Sequence, residues 1–216
     1  MNKFKYINRH QKKDIVLLPG WATDARVFEN MDIEYNYIVP EDFEPFSFSE
    51  NLISFLQDNG FRKVSLFGWS MGGFAAADFA VKNRYLADEL ILVGVKERYD
   101  GQGIEKVKGL LAENKRAYLY KFFRECFAEK EKDAYMRFKE DLMPGYLDQD
   151  QAALMSGLDY LARTPLDAAS LEDIKVRFVF GAGDKIIPAA EVIALKKKMP
   201  RSEFVFVEGR GHAPFF

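Results

Sequence analysis

The feature that most constrains this chain is a unit that occurs three times. Each copy is a run of consecutive apolar residues, a glycine turn, and a stretch with helical spacing. The first is Asp14-Ile15-Val16-Leu17-Leu18, followed by Pro19-Gly20-Trp21, with Thr23 or Asp24 placed to cap the next helix. The second is Lys63-Val64-Ser65-Leu66-Phe67, followed by Gly68-Trp69-Ser70-Met71-Gly72-Gly73 and an alanine-rich helix from Phe74 to Asn83. The third is Val176-Arg177-Phe178-Val179-Phe180, followed by Gly181-Ala182-Gly183-Asp184, with Pro188 suited to the first turn of a helix to about Met199. Tyr37-Ile38-Val39, Glu89–Val93 and Glu203–Val207 supply further strands. Continuous apolar runs, unlike alternating ones, fit strands covered on both faces. Ser47-Phe48-Ser49-Glu50 reads as a capping box that opens a helix to about Asn59, with Gly60 as its stop. The alternation predicts an α/β fold on a mostly parallel, doubly wound sheet.

One stretch breaks this rhythm. Residues 96–173 contain no convincing strand, and Gly103–Glu129, Glu131–Leu142 and Asp148–Ala162 read as helices around a Pro144-Gly145 break. The expected organisation is a core of residues 1–95 and 174–216 interrupted by a helical cap, or lid, at 96–173.

Charge and cysteine content narrow the function. Lys plus Arg is 31 and Asp plus Glu is 33, a net charge of −2, which gives no global reason to bind nucleic acid. One cysteine and two histidines cannot supply a disulfide or a familiar metal-ligand spacing, so no metal and no cofactor is expected. No apolar run approaches the roughly 18 residues that span a bilayer, and the N-terminus lacks a signal peptide's apolar stretch. A soluble cytoplasmic protein, taken as a monomer, is the expectation.

Gly68-Trp69-Ser70-Met71-Gly72 matches G-x-S-x-G. A sharp strand-to-helix turn forces the serine into a strained backbone region, and glycines two residues either side remove colliding side chains. Serine needs a base. His10 lies in a polar stretch before the first core strand, whereas His212 follows the last strand in Gly209-Arg210-Gly211-His212, on the sheet edge expected for Ser70. Asp184 is the best-placed carboxylate to orient the imidazole, its other reading being a helix cap. Asp78 and Asp159 lie inside helical patterns. The order Ser70, Asp184, His212 is that of α/β-hydrolases. Backbone N–H groups of Trp21 and Met71 are the expected oxyanion donors. Cys126 reads as a buried or pocket-lining thiol.

Leu18-Pro19-Gly20-Trp21, Gly68-Trp69-Ser70-Met71-Gly72-Gly73, Gly183-Asp184 and His212-Ala213-Pro214-Phe215 together resemble the pimeloyl-[acyl-carrier protein] methyl ester esterases of biotin synthesis, the BioH and BioG types. The resemblance covers nearly the whole core and is thin in the insertion. It implies a serine esterase that releases methanol from a carrier-bound methyl ester, with Ser70, Asp184 and His212 as nucleophile, acid and base. It also implies substrate contacts at Trp21, Met71 and the Phe123 to Phe127 region. Two features depart from the common pattern. Pro19-Gly20 stands where His-Gly is usual, and the sequence runs only four residues past His212.

Between Ile104 and Arg124 there are six basic residues against two acidic ones. Acyl-carrier proteins are acidic, so Lys115, Arg116 and Lys121 are expected docking residues, the other reading being a solvated helix face. Three function classes remain open. They are a carboxylesterase, a non-catalytic binding module, and a peroxidase-like use of the same triad. Within the first class, hydrolysis of other small esters, thioesters or carbon–carbon bonds is the alternative.

Overall fold

A computed structural model describes residues 3–216. The strands are β1 (Phe4–Ile7), β2 (Asp14–Leu18), β3 (Asn36–Pro40), β4 (Val64–Trp69), β5 (Ala87–Val93), β6 (Lys175–Gly181) and β7 (Glu203–Val207). The α-helices are α1 (Phe48–Asp58), α2 (Met71–Lys82), α3 (Gly101–Glu125), α4 (Lys132–Asp141), α5 (Met143–Leu147), α6 (Gln151–Arg163) and α7 (Ala189–Lys198). Among the described residues these strands form one sheet in the order β1-β3-β2-β4-β5-β6-β7, parallel except for the β1–β3 pair.

Ile38, Val16, Leu66, Leu90 and Val176 fall in register across five strands, and the first four are fully buried. Side chains in register share a face. Helices close this face: Phe48 of α1 meets Phe4 of β1 at 6.2 Å and Phe79 of α2 at 6.1 Å. Phe67 points the other way. It is covered by Phe28, in the 3-10 turn Ala25–Phe28, at 5.7 Å and by Phe215 of the C-terminal segment at 5.6 Å. Burial on both faces is why these strands read as unbroken apolar runs.

Two local features differ from the sequence expectation. β1 lies in the N-terminal stretch that reads as polar. It is an edge strand in which Lys5 and Tyr6 are exposed, so it carries no apolar run to read. The capping box at Ser47 does not form. Glu44 accepts the N–H groups of Phe46 (3.2 Å) and Ser47 (2.7 Å), and the Ser47 side chain makes no cap bond. Gly60 does take a positive φ of 72°, as a helix stop requires.

From Gly101 to Arg163 the chain is helical and supplies no strand to the sheet. α3 breaks at Asn114 (φ −154°, ψ 88°), whose Oδ1 accepts Ala117 N–H at 3.0 Å and so caps the second half. α3 and α6 pack together, with α5 beside α3. No helix among the described residues is long and apolar enough to cross a membrane.

Leu66 is fully buried at the centre of the sheet. Leu66→Ala should cost about 2–5 kcal/mol. The check is a lower urea midpoint at unchanged m; a loss below about 1 kcal/mol would contradict the assigned core.

Candidate active site

β4 ends at Trp69 and α2 begins at Met71, so Ser70 alone makes the turn. Its φ of 51° and ψ of −117° carry strain on the order of 1–3 kcal/mol. Close packing enforces the conformation. A Cβ on Gly68 would lie 2.4 Å from the Gly72 carbonyl oxygen, and one on Gly72 would lie 2.3 Å from the Leu18 carbonyl oxygen. The limbs of the turn therefore touch each other and β2 backbone to backbone. Ser70 N–H donates to Val93 O at 2.8 Å, and Gly73 N–H donates to Ser70 O at 2.9 Å.

His212 is fully buried, and its Nδ1 lies 2.8 Å from Asp184 Oδ2. Asp184 Oδ1 accepts the N–H groups of Ile186 (2.8 Å) and Ile187 (2.9 Å). One carboxylate thus caps its own turn with one oxygen and meets the imidazole with the other. The ring lies over Gly94, where a Cβ would sit 2.8 Å from both Cε1 and Nδ1. Gly94 follows Val93, the residue that holds the Ser70 N–H. The serine turn and the histidine ring therefore meet at the carboxyl end of β5. His212 Nε2 is buried with no hydrogen-bond partner. Trp69, the residue before the serine, donates its indole N–H to His212 O at 2.7 Å.

Trp21 follows β2 and is buried beneath the insertion. Its indole N–H donates to Leu154 O of α6 at 2.9 Å, and its ring meets Phe122 edge-on at 5.1 Å. Met71 opens α2, so its N–H has no carbonyl one turn earlier in the helix to bond. Gly157 of α6 lets the insertion press on both residues, since a Cβ there would lie 2.7 Å from Trp21 Cδ1 and 3.1 Å from Met71 Sδ.

A cavity of about 320 Å³ opens above Ser70. Trp21, Ile104, Tyr118, Phe122, Leu158 and Leu161 supply most of its apolar wall, and Lys96 and Lys185 stand among its polar lining. Phe123 and Phe127 are not in this wall. They are buried in a separate cluster, where Phe123 packs on Phe138 at 5.2 Å and Phe127 packs on Phe216 at 5.6 Å. Helix geometry explains the correction. Tyr118 and Phe122 are four residues apart and share the pocket face, while Phe123 is about 100° further round. A larger groove of about 820 Å³ lies over β1 and β3 and includes none of Ser70, Asp184 or His212.

Tyr99 carries no sequence signal. It follows β5, its ring packs on Phe74 at 5.7 Å beneath Lys96 Nζ at 4.7 Å, and it lines the cavity together with Ser70. Burial pushes the Tyr99 pKa well up against a smaller opposing influence of the nearby Ser70 side chain, so the hydroxyl stays protonated.

The three α3 residues expected to dock a carrier protein all have partners. Lys115 Nζ donates to Gln149 O at 2.7 Å, Arg116 pairs with Asp148 at 2.5 Å, and Lys121 Nζ lies 3.8 Å from Glu125.

Among the described residues no group of three His, Cys, Asp or Glu side chains could hold a metal ion. Cys126 is fully enclosed beside His212, and burial, reinforced by the Asp184 and Glu125 charges, pushes its thiol well above the usual range. Thiolate is the reactive form. Native protein at pH 8 should therefore resist alkylation by iodoacetamide, and denatured protein should take up one label. Rapid native labelling by mass spectrometry would contradict the burial.

Comparison with known proteins bears on the family and the fold. A pimeloyl-[acyl-carrier protein] methyl ester esterase of Aromatoleum aromaticum is 28% identical over 166 residues, covering 68% of this chain and 66% of the relative. One from Legionella pneumophila (strain Lens) is 25% identical, covering 97% of this chain and 92% of the relative. The solved structure of a thermophilic esterase from Thermogutta terrifontis shares the fold at a TM-score of 0.82 and 20% identity, covering 99% of this chain and 86% of that one. The alpha/beta hydrolase family model matches residues 15–216, and the chain belongs to that family.

Proposed function

We propose that the chain is a serine carboxylesterase working through an acyl-enzyme, with the methyl ester of a pimeloyl-acyl-carrier protein as its substrate. The observation that carries the reading is the meeting, at one sheet edge, of a serine held at positive φ and a buried Asp184–His212 pair. Ser70 Oγ attacks the ester carbonyl while His212 Nε2 takes its proton. Asp184 holds the Nδ1–H, fixing the tautomer and stabilising the imidazolium. The oxyanion takes hydrogen bonds from the Trp21 and Met71 N–H groups. The alkoxide leaves with the proton from His212, and water attacks the acyl-serine by the same route.

The cavity supports a modest acyl chain, since 320 Å³ lies near the low end of the roughly 300–1,000 Å³ typical of ligand sites. Burial holds Tyr118, on its wall, protonated by raising its pKa to about 12. The named relatives support a carrier-bound ester as the substrate. A second reading, a free small ester or thioester, is favoured by the ion pairs that already engage Arg116 and Lys121.

Ser70→Ala and His212→Ala should each lower turnover by at least about 10³-fold, measured against methyl pimeloyl-acyl-carrier protein and short p-nitrophenyl esters. Substantial residual hydrolysis in either variant removes the assignment. Reversing the charge of Lys115, Arg116 and Lys121 together should raise KM several-fold for the carrier substrate and leave the free methyl ester unaffected. Equal effects on both substrates would move the second reading to the front.

A further inference from the structure

The proposed mechanism leaves one buried carboxylate without a task. Glu131 stands at the N-terminal boundary of α4 without capping it through its side chain, which is 3% exposed. Its Oε2 accepts Gly211 N–H at 2.6 Å and Ala128 N–H at 2.7 Å. Its Oε1 lies 3.2 Å from Arg210 Nη1, which also donates to Phe216 O at 3.0 Å. A carboxylate is tolerated at such depth only when its oxygens are satisfied.

Gly211 immediately precedes His212. A Cβ on Gly211 would lie 2.5 Å from Cys126 O and 2.6 Å from Ala128 N. The α3–α4 junction and the histidine loop therefore touch backbone to backbone. His212 N–H donates to Cys126 O at 2.7 Å across the same contact. Asp184 reaches only the ring of His212; the main chain that carries the ring is gripped by Trp69 from the core and by residues 126–131 from the insertion.

We propose that Glu131 is a positioning residue for His212, clamping the Gly211 amide to the α3–α4 junction so that the imidazole stands in line with Ser70. The assignment rests on His212 being the base. It gives the insertion a second task besides walling the cavity. A charge-assisted bond of 2.6 Å fixes a backbone amide more tightly than a neutral one. A displacement of about 1 Å at a catalytic group can cost on the order of 10²-fold in rate.

The test compares Glu131→Ala, Glu131→Asp and Glu131→Gln on a p-nitrophenyl ester. Both backbone N–H groups use the same oxygen, so a glutamine oxygen can replace it and lose only the Arg210 pair. An aspartate keeps the charge but is one methylene too short. The expected order of kcat is Gln above Asp above Ala, with Ala down about 10–100-fold and KM within about twofold of the parent. Rates are expressed per competent site, counted by the p-nitrophenol burst, so partial unfolding cannot mimic the effect.

With only two histidines in the chain, the downfield Nδ1 proton of His212 is also resolvable by NMR. It should keep its position in the Gln variant and shift or broaden in the Ala variant. Unchanged kcat per site in Glu131→Ala, or Asp outperforming Gln, would overturn the clamp. Ser70→Ala separates the two levels. If it retains activity, the proposed serine mechanism on which the clamp rests fails; if it is inactive while Glu131→Ala is normal, only the clamp fails.

Discussion

The site depends on one close approach, that of the β4–α2 turn to the end of β2. At Gly72 a Cβ would meet the carbonyl oxygens of Leu18 at 2.3 Å and Pro19 at 2.6 Å. The contact is possible only without a side chain, and it pins the start of α2 against the turn that carries Trp21. This single packing constraint has two consequences. Ser70 is forced to a positive φ where it lines the cavity, and the start of α2 is held against the turn that carries Trp21. The strain at Ser70 persists because backbone contacts on three sides over-determine it.

The histidine is held with equal economy. Trp69 serves as the last residue of β4, as the indole donor to His212 O, and as an edge-on partner of Phe215 at 5.4 Å. A tryptophan directly before the serine therefore links the nucleophile's turn to the histidine loop. The insertion grips the same loop from the other side. Cavity wall and histidine loop are thus parts of one packed unit, and a disturbance in the insertion reaches His212 through backbone contacts.

Much of this was legible in the sequence because it rests on local rules. The apolar runs from Asp14, Lys63 and Glu203 lie within strands or one residue from them, since burial on both faces leaves a continuous signature. The glycines around Ser70 mark a turn whose geometry has few solutions. What escaped depends on partners distant in sequence. β1 is a strand only because β3 pairs with it, and Glu44 displaces the capping role read into Ser47. The aromatic stretch of α3 shows a helix but not its rotation, so Phe123 reads as well as Phe122. Tyr99 and Glu131 look like ordinary polar residues until the fold sets one against Ser70 and the other against Gly211.

The central claim is that Ser70 is a nucleophile activated by His212. The most direct measurement is covalent trapping with a fluorophosphonate, followed by peptide mapping of the modified residue. The account predicts one label per chain, on Ser70, with labelling strongly slowed in His212→Ala. Absence of labelling in folded protein, or labelling at another residue, would contradict it.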